Sequence, residues 1–297
     1  MTQAPTVLKG VRVLSLALNL PGPAALMRCR QMGATCVKLE PPSGDPMGHY
    51  NKAAYAQLHA GVKVLTADLK TTAGQEILQR ELSRTDVLLT SFRPSAMEKL
   101  GLGWATLHAA YPSLCQVAIV GAPGARAQEP GHDLTYLAAN GLVPGMELPA
   151  TLYADMSGSL MASEAVLKAA LLQGERYAGS GQTHPRGVLF EVALSDAAAS
   201  LALPRLWGLT QPAGSVGGAH AGYRVYPCKN GRVAVAALEP HFAAALCAAA
   251  GVKASSMKAM FAPTTQQAIA AFLLTQTRKQ LDQLAADKDI PLHTLSK

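Results

Sequence analysis

The 297-residue sequence contains no uninterrupted apolar run of bilayer length, no CxxC pair and no basic, apolar leader. Each absence excludes something. A transmembrane helix needs about 20 apolar residues in a row, so none is expected. The opening MTQAPTVLKG does not read as a secretory signal. The five cysteines, Cys29, Cys36, Cys115, Cys228 and Cys247, are odd in number and scattered. With no export signal they read as reduced thiols of a cytoplasmic protein. Histidines and acids do not fall at zinc-ligand spacing with cysteine, so no metal is expected. GxGxxG, GxxxxGK[ST] and GxSxG are all missing, which removes support for Rossmann cofactor binding, P-loop chemistry and elbow-type hydrolysis. Aromatics make up only 5% and charged residues 15%, so Ala, Leu and Val must fill the interior. The 49% apolar content is ample for a core and argues against disorder.

The charge is unbalanced, at +7. Clustered Lys and Arg would suggest nucleic acid. Here the bases are dispersed, with no run and no nucleic-acid motif. A solvated positive surface explains the surplus, and so does a phosphate-rich small molecule, which needs only a few placed cations.

The apolar runs alternate with helical patterns. VRVLSLAL at 11–18 reads as a strand buried on both faces. Pro21, Gly22 and Pro23 break it, AALMRCRQMG reads as a helix, and ATCVKLE as the next strand. Together they form a βαβ unit. GVKVLTADL leads into a helix from Thr72 to Arg84, DVLLTSF reads as a strand, SAMEKLGLGWATLHAAYP as broken helices and SLCQVAIV as a further strand. A Gly/Pro/Ala loop at 121–131, a helix at 156–173 and a strand–helix pair in GVLFEVALSDAAASLALP follow. The expected fold is α/β, with a large domain of mostly parallel sheet and flanking helices. QPAGSVGGAHAG at 211–222 reads as a linker, and GYRVYPCKNGRVAVAAL as a hairpin turning at Asn230-Gly231. The expected domains are therefore 1–210, the linker at 211–222, and a smaller α+β domain at 223–297.

Three polar residues stand in apolar or Gly-rich surroundings: His132 in PGHDLTYLAANG, Asp155 in LYADMSGSLM and Glu239 in VAVAALEPHF. Each also has a structural explanation. Asp155 suits a helix N-cap, Glu239 before Pro240 suits the positive end of a helix dipole, and His132 suits a hydrogen-bonded loop.

Several blocks, in order, resemble the class III coenzyme A transferases and, within them, the α-methylacyl-CoA racemase branch. The opening LKGVRVLSLALNLPGPAALMRCRQMGATCVKLEPPSGDP resembles the family's first βαβ unit. DLKTTAGQEILQRELSRTDVLLTSFRPSAMEKLGLG resembles the stretch through its FRP-x-x-x-E-x-LGLG signature. PGHDLTY resembles the racemase GHD-x-x-Y segment, LYADMSGSLMA the segment of the essential aspartate, and YRVYPCKNGRVAVAALEPHF the strand pair ending in Glu-Pro.

The resemblance implies an acyl-CoA racemase or epimerase that inverts the α-carbon of a 2-methyl-branched thioester. His132 and Asp155 would flank that carbon, and Glu239 would orient the histidine. An α-proton beside a thioester is weakly acidic, so its removal needs a base on one face, stabilisation of the enolate oxygen, and an acid on the opposite face. No metal or redox cofactor is implied, since coenzyme A is part of the substrate. The N-terminus of the helix after Asp155, near Gly158, would offer N–H groups to the enolate. Lys38, Lys70 and Arg93 would meet coenzyme A phosphates, with Leu69, Ser91 and Phe92 beside them. Two other readings of the same family are a formyl-CoA-transferase-like enzyme with Asp155 as nucleophile and an inactive acyl-CoA-binding homologue. The partners implied are the thioester and a second copy of the chain, with neither nucleic acid nor membrane.

Three features depart from the family pattern. The usual ENFRP reads TSFRP, with Ser91 in place of an amide. The glycine-rich GFGQ-x-GP region reads VGAPGARAQEP and is shorter. The sequence stops at DIPLHTLSK, where the family usually continues back to the large domain to close a ring. The expected homodimer is therefore one without full interlocking of two rings.

Overall fold

A computed structural model describes residues 6–179, 186–253 and 256–296. The chain divides into two compact units, Met1–Ala202 and Leu203–Lys297.

The first unit runs β1 (Arg12–Ser15), α1 (Pro21–Gln31), β2 (Thr35–Glu40), α2 (Pro46–Tyr50), α3 (Lys52–Leu58), β3 (Lys63–Thr66), α4 (Thr72–Leu82) and β4 (Val87–Thr90). It continues with α5 (Pro94–Lys99), α6 (Trp104–Ala110), β5 (Cys115–Val120), α7 (Asp133–Ala139), α8 (Tyr153–Gly179), β6 (Leu189–Ala193) and α9 (Leu194–Leu206). All six strands are parallel, in the order β3-β2-β1-β4-β5-β6. Chain order reverses between β1 and β4, which makes that position the topological switch point.

The strands are apolar on both faces because both faces are covered. On one side Val13, Leu89 and Val117 pack with Leu26 and Cys29 of α1 and Ala162 and Val166 of α8. On the other, Leu14, Leu39 and Leu88 pack with Leu78 and Leu82 of α4, Met97 of α5 and Leu107 of α6. Successive strand residues thus enter different cores, as a period of two requires.

Pro21, Gly22 and Pro23 do not precede α1 but form its first turn. Proline suits that position because its missing N–H would have no partner there. All five cysteines are buried, and none is in a disulfide. Burial pushes the Cys29 and Cys36 thiols up to about 12. Among the described residues, no helix is long and apolar enough to cross a membrane.

The second unit contains β7 (Tyr223–Cys228), β8 (Gly231–Ala236), α10 (Pro240–Ala249), α11 (Pro263–Thr275), α12 (Arg278–Lys288) and β9 (Leu292–Leu295). These strands form an antiparallel sheet in the order β7-β8-β9. Its core joins Val233 and Val235 to Leu246, Ile269, Leu273 and Leu281. Residues 211–222 lie within this unit, which begins inside α9. The hairpin differs from expectation in one detail. Cys228 pairs with Gly231, so Lys229 and Asn230 make the turn. Gly231 instead opens β8, where a Cβ would sit 2.3 Å from the Leu295 carbonyl oxygen of β9.

Candidate active site

A cavity of about 300 Å³ lies at the carboxyl end of the parallel sheet. Leu18 and Asn19, after β1, form one part of its wall, and Ser91, Phe92 and Arg93, after β4, another. It therefore sits at the switch point, where open α/β sheets bind ligands. Glu129, His132, Tyr136 and Asp155 complete its polar side chains.

His132 and Asp155 are brought together by the first residue of the helix that His132 caps. His132 is the N-cap of α7, in extended backbone. Its N–H donates to the Thr135 hydroxyl at 3.0 Å, and that hydroxyl donates back to the His132 carbonyl at 2.7 Å. The next residue, Asp133, is buried and accepts the Asp155 N–H at 2.9 Å. Asp133 thus ties the start of α7 to the first turn of α8.

This arrangement corrects two expectations. Asp155 is not an N-cap: α8 begins at Tyr153, which leaves Asp155 in its first turn with the side chain free of capping. Nor are N–H groups near Gly158 available to an enolate. The Asp155 N–H goes to Asp133, the Met156 N–H to the Leu152 carbonyl, and Gly158 lies in the helix interior. There the N–H groups serve the preceding turn.

Asp155 is the perturbed carboxyl of the cavity. Burial pushes it up to about 6, the Asp133 charge adds to the rise, and His132 opposes it. Burial disfavours the charged form, and so does a neighbouring like charge. Tyr136, which the residue-type reading did not single out, reaches the same space. Side chains at Gly121 and Gly131 would come within 2.3 and 2.5 Å of its hydroxyl oxygen, so these two glycines make room for it. Burial and then the Asp155 charge raise the Tyr136 phenol, against the pull of Arg93, and keep it protonated. Its signal lay in the GHDLTY motif, one helical turn beyond His132.

Among the residues expected at coenzyme A, Ser91, Phe92 and Arg93 line the cavity. The Ser91 hydroxyl also accepts the Leu18 N–H at 3.2 Å, which ties the ends of β1 and β4 together. Leu69 packs against the α4 side of the core, and Lys70 is exposed on the loop after β3. Neither lines the cavity.

Lys38 is a correction. It is fully buried, and its ammonium binds Asp45, Glu40 (3.1 Å) and His59 (2.9 Å). An ammonium has three protons, and with these partners Lys38 has none left for a phosphate. His59 Nδ1 lies 2.7 Å from the Tyr55 carbonyl, so it donates there and Nε2 accepts from Lys38. Burial lowers the His59 pKa and favours this neutral form. Asp45 also accepts the N–H groups of Asn19, at 3.1 and 3.2 Å, and Met47, at 2.9 Å. Asn19 has φ 66° and lines the cavity. Lys38 therefore supports the cavity rim through Asp45. Glu40, Asp45 and His59 have donor atoms close enough to hold a cation, and Lys38 is the cation among them.

Glu239 belongs to the second unit. It is the N-cap residue of α10, before Pro240, and its side chain makes no cap hydrogen bond.

Fold and cavity define a class: a doubly wound α/β protein with a histidine–carboxyl pair at its switch point. The chain belongs to CoA-transferase family III, whose profile matches residues 8–297. It is 30% identical over 262 residues to an alpha-methylacyl-CoA racemase of Mus musculus, covering 84% of this chain and 66% of the racemase. It is 37% identical over 125 residues to a succinyl-CoA–D-citramalate CoA-transferase of Chloroflexus aurantiacus, covering 39% of this chain and 31% of the transferase. The chain thus spans from about a third to two thirds of the length of these curated relatives. A crystal structure of a hypothetical protein from Mycobacterium tuberculosis shares the fold. Its TM-score is 0.82 at 24% identity, over 98% of this chain and 85% of that one.

Proposed function

We propose that this chain is an acyl-CoA racemase or epimerase acting on a 2-methyl-branched thioester. The observation that carries the reading is the pairing of His132 with Asp155 in one cavity, with the Asp155 carboxyl raised to about 6. A group that ionises near working pH can both take and return a proton. One member of the pair removes the α-proton, leaving an enolate. The other delivers a proton to the opposite face, and the roles exchange for the reverse direction. Tyr136, protonated and in the same cavity, can donate to the enolate oxygen. Arg93 and Ser91 are proposed to meet the coenzyme A portion, with Phe92 beside it, and Leu69 and Lys70 to lie further along it. Glu239 enters as an orienting carboxylate through the family resemblance alone. A homodimer is proposed on the same basis.

A second reading is favoured by the CoA-transferases among the relatives. There the Asp155 carboxylate attacks the thioester carbonyl, expels the coenzyme A thiolate and forms an acyl anhydride.

Incubation with a 2-methylacyl-CoA in D2O separates the readings. The racemase reading predicts deuterium at C2, lost in both His132→Ala and Asp155→Asn. Coenzyme A release to a carboxylate acceptor, with no C2 exchange, would replace it with the transferase. Thioester binding with neither reaction would leave only a binding protein.

A further inference from the structure

The dispersed bases of the sequence are gathered by the fold at a second place. Arg12 opens β1, Arg30 lies in the last turn of α1, Lys63 opens β3 and Arg84 follows α4. All four line a cavity of about 520 Å³ at the amino-terminal end of the parallel sheet. The His132–Asp155 cavity opens at the carboxyl end, so the two lie at opposite ends of the strands.

The arginines are held in place before any ligand arrives. Arg12 donates through Nε to the Arg84 carbonyl at 2.7 Å, Arg30 to the Gly61 carbonyl at 3.0 Å, and Arg84 to the Arg80 carbonyl at 3.1 Å. Each of these anchors uses Nε alone. Glu81 is the one carboxylate in the lining, and it stands 3.7 Å from Arg12 and 3.6 Å from Arg84. Arg30 and the exposed Lys63 have no acidic partner among the described residues. Part of this positive charge answers the carbonyl ends of α1 and α4. The Nε bonds go to the Arg84, Gly61 and Arg80 carbonyls, and Glu81 faces one terminal nitrogen each of Arg12 and Arg84, so the unmatched charge rests on the terminal nitrogens of Arg30 and on Lys63.

We infer that this cavity is an anion site for a diphosphate, free or esterified, separate from the acyl-CoA cavity. Planar guanidinium edges suit phosphoryl oxygens bidentately, and Lys63 adds a point charge. Four cations against one carboxylate call for more than a singly charged anion.

The test is titration of the whole chain with inorganic pyrophosphate, and in parallel with ADP, by calorimetry at low salt. Saturable binding of either probe is expected, with the tighter probe showing whether the diphosphate is free or esterified. Lys63→Glu should weaken it at least about tenfold, the equivalent of ~1.4 kcal/mol. Lys63 is exposed and unpaired, so this variant should keep the wild-type circular dichroism and melting curve. Arg93→Ala should leave in place the saturable binding that Lys63→Glu weakens. Absence of saturable binding overturns the inference. So does binding that Arg93→Ala removes and Lys63→Glu leaves intact, since the anion would then occupy the acyl-CoA cavity.

Discussion

Two groups of ionisable side chains sit at the carboxyl end of one parallel sheet, and they are built on opposite terms. Around Lys38 every group is engaged. Its ammonium meets Asp45, Glu40 and His59, Tyr55 donates to Glu40 at 2.8 Å, and Asp45 gathers backbone N–H groups. Around Asp155 the groups are left unsatisfied. His132 is exposed, the Asp155 carboxyl has been pushed up, and Asp133 is spent on backbone. The contrast shows how to separate a structural cluster from a reactive one. Both contain a histidine and carboxylates, but matched charge fixes a shape, whereas unmatched charge leaves protons free to move.

The largest effect that sharpens this contrast is on turnover. Asp155→Asn or His132→Ala should lower α-proton exchange by about 10²–10⁴-fold, the usual contribution of a positioned acid or base. Thioester binding, measured by calorimetry, should survive. Lys38→Met should act on the fold. It leaves buried carboxylates uncompensated, which costs about 3–5 kcal/mol by urea denaturation. If Lys38→Met kept full stability but lost coenzyme A affinity, the division between the clusters would break down.

A smaller effect has the opposite sign. The Asp155 carboxyl is raised in the fold, so its neutral form is the one the native state favours. Its stabilising contribution is complete below about pH 4 and lost as pH rises through about 6. Asp155→Asn should therefore stabilise the protein by about 1–2 kcal/mol at pH 8 and leave it unchanged near pH 4, allowing for solvent. Melting curves at the two pH values check this. The smallest effect is Tyr55→Phe, which removes one hydrogen bond to Glu40 and should cost about 1 kcal/mol with exchange unaltered.

The same contrast explains what the sequence made legible. The strands of the parallel sheet could be read because burial on both faces makes them continuous apolar runs. Helix α8 and the β7–β8 hairpin were readable from composition and turn residues. The short helices α2, α3 and α7 were not, since five to seven residues carry too little periodicity. Strand β9, LHTL, has no pattern of its own and is defined by its pairing with β8. His132, Asp155, Phe92 and Arg93 stood out through motif resemblance, and the cavity contains all four. Lys38 could not be placed, because its burial depends on Asp45 and His59, seven and 21 residues away. The start of α8 was misjudged for a similar reason, since the carboxylate that receives the Asp155 N–H, Asp133, lies 22 residues upstream.

The most direct test of the account is the pH dependence of α-proton exchange, followed by mass spectrometry on a 2-methylacyl-CoA in buffered D2O. Exchange should rise with a midpoint near pH 6, set by Asp155, in the wild type and in Tyr55→Phe alike, and should fall at least about 100-fold at every pH in Asp155→Asn. Exchange that persists undiminished in Asp155→Asn, or a saturated thioester that never exchanges at any pH, would contradict the account.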